Sequence, residues 1–86
     1  LMAAKILFHP KVDKDLKKLP KNIRERFFKA ASQLEVNPLA GIPLKGEFVG
    51  SRKVRLGDWR IVYQFSPKTQ KVIVYRIESR QGVYNK

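Results

Sequence analysis

Most of the side chains able to do chemistry in this sequence are cations. Lys53, Arg55 and Arg60 sit in the run Arg52-Lys53-Val54-Arg55-Leu56-Gly57-Asp58-Trp59-Arg60-Ile61-Val62-Tyr63, and Arg80 and Tyr84 follow near the end. The sequence has no glycine-rich phosphate loop, no His-Glu-x-x-His pair and no Ser-His-Asp set. Asp13, Asp15, Glu25, Glu35, Glu47, Asp58 and Glu78 form no obvious pair for acid–base work. With no cysteine and His9 as the single histidine, disulfides, thiol catalysis and the usual zinc sites are excluded. Arg, Lys and Tyr can still handle phosphate. Cleaving RNA needs a base for the 2′-hydroxyl, an acid for the leaving 5′-oxygen, and positive charge for the crowded phosphorus. Arg offers a planar fork to phosphate oxygens and Lys a compact charge. Clustered cations favour the phenolate of a tyrosine, so an exposed Tyr84 near Arg80 is a candidate base. A ring that caps the sheet is the other reading of Tyr84.

The element that positions this set reads as a β-hairpin. Two alternating runs meet at Gly57-Asp58, a Gly-X pair that suits a type II′ turn. Counting outward sets Leu56 against Trp59, Arg55 against Arg60, Val54 against Ile61 and Lys53 against Val62. Strand side chains alternate between faces. One face then holds Val54, Leu56, Trp59, Ile61 and Tyr63, with Arg52 at its far end. The other holds Lys53, Arg55, Arg60 and Val62. Like charges directly opposite each other destabilise a sheet. Arg55 against Arg60, with Lys53 beside them, makes sense if an anion such as a polyphosphate backbone lies there. A solvated face with its charged heads in water is the alternative.

The rest of the chain supplies a core for that hairpin. Ala4 to Phe8 suits a buried strand, ended by His9-Pro10. Val12, Leu16 and Leu19 make one face of a short helix, and Pro20 breaks it. A second helix begins at Lys21-Asn22, carries the stripe Ile23, Phe27, Ala30, Ala31 and Leu34, and ends around Val36-Asn37-Pro38. Leu39 to Pro43 reads as a loop, and Leu44 to Ser51 as a turn or short strand. After a turn at Ser66 to Gln70, Lys71 to Ile77 is the last strong strand. Unbroken alternation puts Ile73, Tyr75 and Ile77 on the core face and Arg76 opposite Arg60. The expected fold is α+β, with an N-terminal strand, a two-helix hairpin and an antiparallel sheet of three further strands. One sheet face stays open and cationic. Residues 1–86 read as one domain.

Lys and Arg total 19 against 7 acids, a formal charge of +12 on 86 residues. A field of this sign draws in nucleic acid, an anionic membrane or an acidic protein. No apolar run approaches the ~20 residues needed to span a bilayer, and no signal peptide is evident. The expected compartment is the cytoplasm, with no membrane partner.

Pro43-Leu44-Lys45-Gly46, the block from Arg52 to Tyr63, Val74-Tyr75-Arg76-Ile77, Arg80 and Val83-Tyr84 together resemble the RelE/ParE superfamily of type II toxin–antitoxin toxins. The resemblance covers nearly the whole chain and implies the RelE-like microbial RNase fold. For the RelE-like branch it implies a ribosome-dependent endoribonuclease that cuts mRNA in the A site, without cofactor or metal. Carried over by position, Tyr84 is the base and Arg80 the acid or leaving-group stabiliser. Arg60 and Lys53 hold the phosphate, and Arg55 assists. Lys45, Arg52, Arg76 and Lys86 are candidate RNA contacts around them. The implied partners are the ribosome, mRNA and a RelB-like antitoxin in a hetero-oligomer. Many members have Gly-His where this chain has Glu78-Ser79, which places a carboxylate near Arg80. A ParE-like gyrase inhibitor without nuclease activity is the rival reading, and a module that only grips RNA is a third.

Overall fold

A period of two along the strands and one near 3.6 along the helices give each element one apolar side, and folding buries those sides together. The structure, a computed structural model, describes residues 4–79. Its elements are β1 (Lys5–Phe8), α1 (Pro10–Lys17), α2 (Lys21–Val36), β2 (Ile42–Pro43), a 3₁₀ turn (Gly46–Phe48), β3 (Ser51–Leu56), β4 (Trp59–Ser66) and β5 (Lys71–Ser79). The strands form one five-stranded sheet in the order β1-β5-β4-β3-β2. β1 runs parallel to β5, and the other neighbours are antiparallel. This is the expected α+β architecture, with two differences. Ile42-Pro43, read as loop, pairs with Lys53 and Arg52 as a short edge strand. The N-terminal strand, read as buried, lies at the opposite edge; Ile6 and Phe8 pack against the core, and Leu7 between them is exposed.

The helices begin where proline dictates. Pro10 takes the first position of α1, where its missing N–H costs nothing. The His9 Nδ1 accepts the Lys11 amide at 3.1 Å and caps that helix. Pro20, with an extended backbone, separates α1 from α2. Val12 and Leu16 of α1 and Phe27, Ala30 and Leu34 of α2 are buried against one sheet face, and Ala31 is buried as well. Phe27 meets Trp59 edge-on at 5.7 Å, which ties α2 to the hairpin.

β5 departs from the expected alternation. Val72 and Val74 are fully buried, whereas Ile73 is 39% exposed. Two register changes are the cause. Ser66 pairs with Lys71, so the turn at 67–70 is one residue shorter than expected, and Val72 and Val74 fall opposite Phe65 and Tyr63. Then a bulge, with Val62 opposite Arg76 but Tyr63 opposite Val74, leaves Tyr75 extra. Ile73 and Tyr75 therefore leave the core face, while Ile77 keeps its place opposite Ile61. Tyr75 turns to the open face, where its hydroxyl meets the buried Ser51 hydroxyl. The shorter turn and the bulge together set Glu78, not Arg76, opposite Arg60.

Tyr63 fastens the loop after α2 to the sheet. Its fully buried hydroxyl accepts the Gly41 amide at 2.9 Å and donates to the Pro38 carbonyl at 2.7 Å. Burial pushes its pKa up, although the Gly41 amide and the Arg52 guanidinium pull it down. The raised value means that the stability it contributes is complete below the unfolded pKa of about 10 and is lost as pH climbs through the folded one. A Cβ on Gly41 would lie 2.7 Å from the Tyr63 hydroxyl and 2.8 Å from the Lys53 carbonyl. Both contacts belong to packed atoms that cannot swing away. Gly41→Ala should therefore lower the urea midpoint. Tyr63→Phe should cost about 1–3 kcal/mol, because it strands a buried amide and a carbonyl. An unchanged midpoint in either variant would refute this account of the loop.

Candidate functional site

The hairpin forms as the sequence requires. Gly57 adopts φ 66°, and it alone of the two turn residues has a positive φ, the pattern of a type II′ turn. Leu56 faces Trp59, Arg55 faces Arg60, Val54 faces Ile61 and Lys53 faces Val62. Val54, Leu56, Trp59 and Ile61 pack toward the helices. Lys53, Arg55 and Arg60 are thereby driven to the open face. They line one cleft of about 210 Å³ with Gly57, Asp58, Trp59, Glu78 and Ser79. Arg26 of α2 reaches the rim, with its Nη2 3.3 Å from where a Cβ on Gly57 would lie.

Glu78 supplies the counter-charge on this face. Its Oε1 accepts from the Arg60 Nε at 2.6 Å, and its Oε2 pairs with the Arg76 Nη2. Alternation puts Arg76 and Glu78 on one face of β5, and the shorter turn and the bulge bring Arg60 opposite Glu78. The Glu78 side chain is only 16% exposed, beneath two half-exposed guanidinium groups. The sequence places this carboxylate near Arg80, which lies outside the described residues; among those described it pairs with Arg60 and Arg76. Among the described residues Lys53 and Arg55 make no ion pair. The cleft thus offers two uncompensated cations and an arginine already held in orientation. Such a site can grip a phosphodiester and stabilise charge that develops on its oxygens.

Residues 6–84 match the family described as the ParE toxin of the type II toxin-antitoxin system parDE. Toxin RelG of Mycobacterium tuberculosis is 31% identical over 75 residues, which span 85% of this chain and 86% of that protein. The chain belongs to the RelE/ParE superfamily of type II toxins. The toxin of the RelBE2 toxin-antitoxin complex from Mycobacterium tuberculosis superposes with a TM-score of 0.84 at 29% identity, over 91% of this chain and 99% of that one. The archaeal RelE-RelB complex from Pyrococcus horikoshii OT3 gives 0.80 at 29% identity, over 92% and 97% of the two chains.

The other sequence candidates of this toxin fall in different places. Arg76 joins the cluster through Glu78. Arg52 belongs to the helix-facing row, and its Nη1 donates to the carbonyls of Gly41 at 2.9 Å and Leu39 at 3.3 Å. Its guanidinium braces the loop, apart from the cleft cations. Lys45 is exposed at the start of the 3₁₀ turn. Arg80, Tyr84 and Lys86 lie outside the described residues. Glu78→Gln should make the toxin elute from heparin at higher salt than Glu25→Gln, which removes the same charge from the exposed face of α2. Equal elution of the two variants would show that the Glu78 carboxylate does not restrain the cleft cations.

Proposed function

We propose that this toxin is a ribosome-dependent endoribonuclease that cuts mRNA in the A site and so inhibits translation. The observation that carries the reading is the convergence of Lys53, Arg55 and Arg60 on one cleft of the uncovered sheet face. In this reading the scissile phosphate lies among those three side chains. Tyr84 takes the proton from the 2′-hydroxyl, the 2′-oxygen attacks phosphorus, and the 5′-oxygen leaves with a proton that Arg80 supplies or a charge that it stabilises. Arg60 and Lys53 hold the non-bridging oxygens, whose charge grows in the transition state. Arg55 assists from directly across the turn. Lys45, Arg76 and Lys86 extend the contact along the RNA backbone, where each cation adds to a salt-dependent attraction. The chemistry needs no metal or cofactor, and the reaction takes place in the cytoplasm, where translating ribosomes are found.

The partner in this reading is a RelB-like antitoxin in a hetero-oligomer, as in the RelBE2 and archaeal RelE-RelB complexes. Its acidic groups would offset part of the +12 charge. The match to the ParE description favours a second reading, inhibition of DNA gyrase without nuclease activity.

Primer extension on ribosome-bound message separates the two. The parent toxin should cut only on translating ribosomes. Lys53→Ala, Arg60→Ala, Arg80→Ala and Tyr84→Phe should each slow cutting by about 10²–10³-fold, the usual cost of a lost transition-state group. Full cutting by the Arg60 and Arg80 variants would overturn the site. Gyrase-linked DNA breaks, with message intact, would establish the second reading.

A further inference from the structure

An aromatic ring beside a cationic cleft has no evident place in a site that holds only phosphate. Phe48, from the 3₁₀ turn, is 37% exposed at such a position. With Leu44 and Val62 it lines a second, smaller depression of about 90 Å³, whose wall includes Lys53, Arg60 and Glu78 of the phosphate cleft. The two depressions are therefore neighbours. The Arg76 guanidinium carbon stands over the Phe48 ring, 5.7 Å from its centre. Arg76 is thus fixed twice, by the ring beneath it and by the Glu78 carboxylate at its Nη2. Its side chain is still 46% exposed. A planar cation anchored in this way presents a flat, polarisable surface to solvent.

We infer that Phe48 and Arg76 form a stacking platform for one nucleobase of the RNA whose phosphate occupies the adjoining cleft. The inference rests on the RNA-cutting reading above and adds a base subsite to it. Unstacked bases of single-stranded RNA are captured on aromatic rings and on arginine planes. Here the two are layered: Phe48 supports Arg76, and the base lies on the outer face of Arg76. Arg76 then acts as a surface as well as a charge, and a lysine cannot replace it. Purines, with the larger ring system, stack better than pyrimidines on such a platform. The platform gives the toxin a base preference at the nucleotide it covers.

The test compares equally charged ligands. Fluorescence anisotropy would measure binding of the purified full-length toxin to a short single-stranded oligoadenylate and to an abasic ribose-phosphate chain of the same length. The parent should bind oligoadenylate on the order of tenfold more tightly than the abasic chain. Arg76→Lys, which keeps the charge, and Phe48→Leu, which keeps an apolar side chain, should each bring the ratio of oligoadenylate to abasic binding close to one. Phe48→Trp should retain the parent's ratio. Thermal melting of each variant identifies any loss that comes from unfolding. A parent that binds both chains equally overturns the platform and leaves the phosphate cleft standing, whereas one that binds neither overturns both. An Arg76→Lys toxin that keeps the oligoadenylate advantage also overturns it.

Discussion

The single inserted residue in β5 governs how the two halves of this sheet relate. Val72 and Val74 must face the helices, and so must Ile77, yet strict alternation cannot put all three on one side. The bulge at Tyr75 resolves that conflict by spending one residue on the opposite face. Everything beyond it follows in step. Ile77 returns to the core opposite Ile61, and Arg76 and Glu78 arrive beside the hairpin cations. A one-residue change of register here would carry the Glu78 carboxylate into the apolar layer and Ile77 into the cleft.

The charge balance of the open face follows from that placement. Three cations gathered by a hairpin repel one another, and an exposed ion pair alone offsets little of this. Glu78 is mostly covered, and each of its oxygens takes a different arginine. The carboxylate therefore holds Arg60 and Arg76 in place, while Lys53 and Arg55, in no ion pair among the described residues, face a ligand. The site is graded: one side is neutralised and ordered, and the other attracts anions. Arg52 shows how one strand can serve two ends. It is next to Lys53 in sequence, yet it points to the other face and braces the loop that Tyr63 also holds.

The hairpin was readable from sequence because every local signal in it agrees. Gly57 permits the turn, Val54, Leu56, Trp59 and Ile61 mark one face, and the charged residues mark the other. The helices were equally clear, with Pro10 and Pro20 at their starts. β5 was not, because Val72-Ile73-Val74-Tyr75 is apolar at every position and carries no phase. The step from Val74 to Ile77 is the trace that the bulge leaves in the sequence, and it is visible only once the buried residues are known. β2 was hidden for a different reason. Two residues, one of them a proline, have no periodicity to read, and it is β3 that makes Ile42-Pro43 a strand. For the site, the positions of the hairpin cations followed from counting, but the partner of Glu78 depended on a register no count could supply.

The trimmed margins of the sheet have a bearing on solubility. One margin is a strand of two residues ending in Pro43, which has no N–H to offer a neighbour, and the other is a strand of four that opens with a lysine. Between them lies the β-branched and aromatic stretch of β5, the composition that stacks into fibrils when exposed as an edge. By keeping that stretch between β1 and β4, the fold leaves little template for sheet-to-sheet growth, and the strong positive field adds mutual repulsion between copies.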